Sequence, residues 1–152
     1  MVNLLEEYAA RSVLCWLATV DETGAPNLSP KEAFGLIDGR IVIANIASPR
    51  SSRNLRSNPR VCVSLLDIFE QKGVRVTGLG AVCSADDVEM VGARALLNTR
   101  TEGRFPFSEI FVIEVGDVQP FSAPSWHLYP EVDPAERRAG VLRSYGVHEI
   151  GD

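Results

Sequence analysis

Apolar positions along this chain come in short runs separated by turn residues. Leu14 to Val20 is one mostly apolar run of strand length. Asp21-Glu22-Thr23-Gly24-Ala25-Pro26 then supplies turn residues, so the pattern predicts a hairpin. Residues 27–37 resume as a strand interrupted at Ser29-Pro30-Lys31. A proline in a strand belongs at an edge or a bulge, because it cannot donate to the ladder. Asp38-Gly39 is a tight-turn pair that joins this strand to residues 40–46, so the three strands form an antiparallel meander. Counting outward from that turn places Lys31 opposite residues 45–47. Residues 60–67, 74–84 and 109–118 read as three further strands, with Gly78 and Gly80 marking a bulge or a close backbone approach.

Helical patterns are fewer. Residues 3–11 read as a short helix with Asn3 as N-cap, and residues 48–58 as a second. Asp86 to Asn98 is the best helix by pattern: Asp86 and Glu89 have the spacing of a capping box, and Val88, Val91 and Ala95 share a face. From Gln119 onward, Pro120, Pro124, Pro130 and Pro134 break regular structure, which predicts an arm lying over another surface. Six strands in hairpins, without βαβ alternation, predict a mainly β fold: a six-stranded antiparallel barrel with short peripheral helices. Residues 1–118 form the barrel, and residues 119–152 form a C-terminal arm of the same domain.

Composition adds limits. The chain has 152 residues, 45% hydrophobic and 23% charged, the profile of one ordinary globular domain. No apolar run approaches the ~20 residues of a membrane helix, and no signal-peptide pattern opens the chain, so a cytoplasmic setting without membrane contact is expected. A net charge of −5 opposes non-specific nucleic-acid binding, which needs a basic surface. The cysteines are Cys15, Cys62 and Cys83, an odd number in apolar runs without a Cys-x-x-Cys pair, as expected for free thiols in a reducing compartment. The two histidines, His127 and His148, do not suggest a metal site.

Against this acidic background, Arg50, Arg53, Arg56 and Arg60 crowd one segment, which points to a local anion site. Ser48 suits an N-cap and Pro49 the first helical position, with Arg50, Ser51 and Ser52 in the first turn. A helix start carries unpaired N–H groups and partial positive charge, so hydroxyls and an arginine there compose a phosphate cradle. The same residues could simply begin a solvated arginine-rich helix, and pattern alone leaves the two open. Lys31 has a similar pair of readings: an ammonium aimed at the same anion, or an edge-strand lysine that blocks aggregation. The meander register favours the first, because it brings Lys31 and Arg50 to one site.

Residues 5–118 resemble the FMN-binding split-barrel family, the pyridoxamine 5'-phosphate oxidase-like proteins. The resemblance rests on the opening helix, on Trp16 to Pro26 with its Asp-x-x-Gly-x-Pro turn, and on Ser29-Pro30-Lys31. It rests also on Asp38 to Ile43, and on Ser48 to Pro59 with Asn54-Leu55 and Asn58-Pro59-Arg60-Val61. It implies a homodimer with FMN at the subunit interface and a small-molecule redox substrate. Carried over by position, Arg50, Ser51 and Ser52 fall at the phosphate with Lys31 nearby. Asn45, Ile46 and Ala47 lie along the flavin, and Ser29 and Pro30 flank its ring system. Where the family often has a lysine in the phosphate segment, this chain offers Arg50 or Arg53. Asn54 matches a family asparagine, with a helix-packing role as its alternative.

The arm, with Ser125-Trp126-His127-Leu128-Tyr129, does not match the oxidase's substrate-binding extension, so vitamin B6 oxidation is not implied. Trp126 either covers the partner's flavin or anchors the arm to the barrel. The expected function is an FMN-dependent oxidoreductase with no assigned catalytic side chain. Its rivals are a non-catalytic flavin carrier or sensor, a split barrel adapted to haem through His127 or His148 or to F420, and a dimeric interaction domain with an empty site.

Overall fold

A computed structural model describes residues 4–148. Helix α1 (Leu4–Arg11) leads into β1 (Cys15–Val20) and β2 (Pro26–Lys31). These are followed by β3 (Phe34–Ile37), β4 (Arg40–Ala44), α2 (Pro49–Ser57), β5 (Arg60–Asp67) and β6 (Lys72–Ser84). A 3-10 turn (Val88–Met90), α3 (Val91–Thr101), β7 (Glu109–Ser122), α4 (Ser125–Leu128) and α5 (Pro134–Tyr145) complete the chain. All strand pairs are antiparallel, in the order β2-β1-β5-β6-β7-β4-β3.

The fold is mainly β, a curled antiparallel sheet with short helices, as expected. It has seven strands rather than six, because the segment read as one strand over 27–37 is two. β2 ends at Lys31, and β3 begins at Phe34 on the opposite edge of the sheet. The interruption at Ser29-Pro30-Lys31 is therefore followed by a crossing between edges. Asp38 (φ 48°) and Gly39 (φ 75°) do make the tight turn, but it joins only β3 to β4. Lys31 consequently pairs with Cys15 of β1, not with residues 45–47.

One core fills the inside of the curl. Leu17, Val63, Leu65, Val74, Val76, Ile41, Ile43, Phe111 and Ile113 are fully buried there, and Leu5 and Tyr8 of α1 close over them. Burying each such aliphatic side chain is worth roughly 1.5–3 kcal/mol. A second core lies on the outer face of β4 and β7, where Val42, Ala44, Ile110 and Val112 meet Met90, Ala93 and Leu97. The helical face of α3 therefore differs from the expected one. Val88, Val91 and Ala95 are exposed, and Met90, Ala93, Leu97 and Thr101 point inward. No capping box forms: Asp86 pairs with Arg94 at 2.6 Å, and a 3-10 turn precedes the helix. Asn3 lies outside the described residues.

The last strand and the arm also differ from expectation. β7 runs through Pro120 to Ser122, because β4 pairs with β7 only up to Ile113. Beyond that point one side of β7 is an edge, where a missing N–H costs nothing. The arm is not irregular. Asp133 accepts from the backbone N–H groups of Ala135 (2.8 Å) and Glu136 (3.4 Å), Pro134 opens α5, and Gly146 (φ 67°) ends it. These are the standard start and stop residues of a helix.

The β6–β7 register shifts between Thr77 and Gly78. A Cβ on Gly78 would lie 2.1 Å from the Glu114 backbone oxygen, so the close approach requires glycine. Gly78→Ala is expected to lower unfolding free energy by about 2 kcal/mol or more in urea titration, since a backbone atom cannot move aside as a side chain can.

Candidate functional site

The two-residue link between β2 and β3 carries Lys31 to the seam of the curled sheet. Along β2 the residues alternate, so Leu28 and Pro30 face out and Lys31 is buried. Lys31 is 4% exposed. Its Nζ donates to Ser48 Oγ at 2.5 Å and sits 5.7 Å from the Phe111 ring centroid. Among the described residues no carboxylate pairs with it. Burial pushes its amine below the ordinary lysine range. The same burial pushes Cys15 up to about 12 despite the positive charges of Lys31 and Arg100, so this thiol stays protonated. Lys31 lines a cleft of about 200 Å³ with Leu14, Pro30, Glu32, Ala33, Ala44 and Ile46.

Beyond β4 the chain turns sharply into α2. Ala47 adopts φ 50°, a left-handed conformation that costs a non-glycine residue about 1 kcal/mol. Asn45 holds the corner: its Oδ1 accepts from the Ser48 backbone N–H (3.1 Å), and its Nδ2 donates to Glu109 Oε2 (2.7 Å). Ser48 does not cap the helix with its side chain. Its hydroxyl donates to the Ile46 carbonyl (3.2 Å) and accepts from Lys31.

Ser51 and Ser52, expected at a phosphate, are buried and engaged within the protein. Ser51 Oγ meets Ser29 Oγ at 3.2 Å, and Ser52 Oγ donates to Glu109 Oε2 at 2.8 Å. Glu109 also accepts from Arg56 Nη2 at 2.6 Å. Hydrogen bonds from Ser52 and Asn45, with the Arg56 guanidinium, hold the Glu109 carboxyl below the usual glutamate range. The first turn of α2 thus already holds an anion of its own. Asn54 is buried and donates to Thr19 Oγ1 at 3.0 Å, the helix-packing role.

The structure therefore brings Ser29, Pro30, Lys31, Ser48, Ser51 and the corner residues Asn45 to Ala47 to one end of the curl. It sets Arg50 apart. Arg50 and Arg53 are exposed and line a different groove, of about 520 Å³, with Asp21 and Thr23 of the β1–β2 turn. Among the described residues neither arginine forms an ion pair. Trp126 is not at the Lys31 cleft. Its Nε1 donates to the Glu70 carbonyl (2.9 Å) and its ring lies under Lys72, so it anchors the arm to the β5–β6 turn. His127 is exposed and bonded to Ser122 Oγ (2.9 Å), and His148 is exposed. Glu109 escaped sequence reading, because a strand carboxylate that crosses to a helix 57 positions earlier leaves no local pattern.

A curled antiparallel sheet closed by a two-residue link, with a buried lysine at its seam and short helices around it, defines a split barrel. The chain belongs to the pyridoxamine 5'-phosphate oxidase family, whose model matches residues 3–121. No curated protein matches it. Among solved structures, HupZ of Group A Streptococcus superposes with a TM-score of 0.68 at 19% identity, over 81% of this chain and 96% of its own. An FMN-binding protein from Syntrophomonas wolfei subsp. wolfei gives 0.65 at 20% identity, over 78% and 87%. HutZ, the haem storage protein of Vibrio cholerae, gives 0.63 at 20% identity, over 76% and 89%. At such identities the likeness is one of fold.

Glu109 has a depressed folded-state value, so its contribution is present above the unfolded glutamate value of about 4.3 and is lost as pH falls through the folded one. Glu109→Gln is expected to cost about 1 kcal/mol at neutral pH and to flatten acid destabilisation below about pH 4.3, measured by urea unfolding across pH.

Proposed function

We propose that this chain binds FMN at the Lys31 cleft and works as a homodimeric flavoprotein oxidoreductase on a small-molecule substrate. The observation that carries the reading is Lys31: a buried cation with one hydroxyl partner and, among the described residues, no carboxylate paired to it. Such a group is costly alone and is compensated by an anionic or electron-rich ligand. The cleft's chemistry suits a flavin. Pro30, Ala44 and Ile46 offer apolar surface for a planar ring, Lys31 offers positive charge, and the Ala47 corner leaves backbone groups near it.

A cleft of about 200 Å³ is smaller than the roughly 300–1,000 Å³ of a usual cofactor site, which supports completion by a second copy. The outer face of β1 and β2 suits that role. Leu28 is 62% exposed and Trp16 39% exposed, and Pro30, the register partner of Trp16, also lines the cleft. FMN would supply the redox chemistry itself. The residues named here would bind and orient it, and Lys31 would favour negative charge on the neighbouring ring atoms. Among the described residues no group of three or more His, Cys, Asp or Glu could hold a metal, and no helix is long and apolar enough to cross a membrane. A cytoplasmic setting remains part of this proposal.

The absorption spectrum of the purified protein tests the cofactor. A flavin spectrum is expected; a Soret band or a deazaflavin spectrum would replace FMN by haem or F420. Flavin binding without turnover by reduced nicotinamide nucleotides would favour a carrier.

Lys31→Met separates binding from folding. In the flavin-free chain it is expected to raise the melting temperature, because a desolvated charge is removed. It is also expected to weaken FMN binding by about tenfold or more, the scale of one charge-assisted contact. Unchanged FMN affinity would remove Lys31 from the site. In the wild-type apo chain the unfolded state binds this proton more tightly, so stability is expected to rise with pH toward the ordinary lysine value of about 10.4.

A further inference from the structure

The apolar helical face formed by Val88, Val91 and Ala95 exists, and it points to solvent. Val88 is 85% exposed and Val91 63% exposed. The other side of α3 is apolar as well, because Met90, Ala93 and Leu97 pack on Val42, Ala44, Ile110 and Val112. A helix on the surface of a single chain normally turns charged residues outward, and a helix apolar on both sides is covered on both. From Val88 to Thr99 the only charged side chains are Glu89 and Arg94, and Arg94 is bonded to Asp86 at 2.6 Å. The outward face therefore presents Val88, Val91, Ala95 and Thr99, spaced three and four apart along one side of the helix.

The charges at the two ends of this face select what covers it. Asp86, Asp87 and Glu89 stand at its start, and among the described residues neither Asp87 nor Glu89 forms an ion pair. Arg100 and Arg104 stand at its end. Arg100 is held by neutral groups: it donates to the Ser12 carbonyl (3.1 Å) and lies 4.3 Å from the Phe34 ring centroid. Arg104 pairs with Glu102 at 3.3 Å, both largely exposed, so solvent screens that pair. A surface acidic at one end, basic at the other and apolar between is complementary to itself turned end for end. A parallel copy would set acidic end on acidic end, and aligned helix dipoles would oppose it too.

We propose that α3 is a self-association surface, on which two copies of this chain pack their α3 helices antiparallel about a two-fold axis at Ala95. Val91 then meets Thr99 of the partner subunit, and Asp87 and Glu89 come alongside Arg100 and Arg104 of the partner subunit. Valine and alanine at the crossing let the helix axes approach to about 8–10 Å. Eleven residues of helix span about 16 Å, so the contact belongs to the small, transient class of interfaces. It goes beyond the flavin reading, because α3 packs on β3 and β4, whereas the second copy proposed at the Lys31 cleft meets β1 and β2.

Sedimentation velocity of the full chain, from about 1 to 500 μM, tests this. The mean mass is expected to rise with concentration. Val91→Lys, at an exposed position that folding does not depend on, is expected to weaken that step by about tenfold or more, with far-ultraviolet circular dichroism and FMN content unchanged. A cysteine scan reads the geometry. Under oxidation Ala95→Cys is expected to cross-link two copies above the background of the wild-type chain, which has its own free thiols. Val91→Cys is expected not to, because the axis separates the two copies of position 91 by eight residues, about 12 Å along the helix, beyond the ~7 Å reach of a disulfide. A mass that does not rise with concentration, a rise that Val91→Lys leaves intact, or cross-linking of both or neither cysteine variant overturns the proposal. Loss of a flavin spectrum in the wild-type chain would remove the flavin reading alone, so the two fail independently.

Discussion

The structure depends on one short connection. β2 and β3 stand at opposite ends of the strand order, yet only Glu32 and Ala33 lie between them. A flat sheet of seven strands would be about 29 Å across at ~4.8 Å per strand, whereas three Cα steps span at most about 11 Å. The sheet must therefore curl until its edges approach one another. The seam is also where the cleft forms. Lys31 is the last residue before the crossing, and Ala44 and Ile46 come from the strand end on the other side. Closure and site have the same cause.

That cause explains which parts were legible beforehand. Strands that pair with sequence neighbours through turn residues, such as Asp21 to Pro26 and Asp38-Gly39, can be read locally because the turn carries the register. Counting from Asp38-Gly39 puts Lys31 opposite residues 45–47 and within reach of Arg50; Lys31 instead pairs with Cys15 and meets Ser48 across the closed sheet, and Arg50 lies in another groove. Pro30 predicts an edge or a bulge, and β2 is indeed an edge strand, but nothing in residues 27–37 signals a jump across the sheet. The inward face of α3 was misread for a related reason. Val88, Val91 and Ala95 have helical spacing, but the 3-10 turn at Val88–Met90 shifts the phase, and Met90, Ala93 and Leu97 take the core side. In the arm, Asp133, Pro134 and Gly146 carried a full set of helix signals that the count of prolines obscured.

The arginine cluster illustrates how an electrostatic pattern divides in three dimensions. Four arginines within eleven positions suggested one anion site. Helical geometry instead distributes them. Arg56 turns to Glu109, while Arg50 and Arg53 face the β1–β2 turn. The hydroxyls of Ser51 and Ser52 turn inward, where they link α2 to β2 and β7. Glu109 is the reason the helix start can be held so close to the barrel. It absorbs hydrogen bonds from two segments and one positive charge, whereas Lys31, among the described residues, is a buried cation with no carboxylate paired to it.

The contrast between the two cations follows from how each is held. Arg56 is more than half exposed and paired, so solvent screens it and its pair contributes little to stability. Lys31 is sealed between β1, β2 and Phe111 with a hydroxyl as its acceptor, so its charge keeps most of its desolvation cost. A fold selected for stability alone would place an aliphatic residue there, as it does at Leu17 and Leu65 in the same curl. The barrel can carry that cost because its core is large, and the β5–β6–β7 ladder contributes most of the pairing. The sheet thus concentrates its stability in the central strands and leaves its edges, where β2 and β3 come together, free to be shaped by what the seam holds.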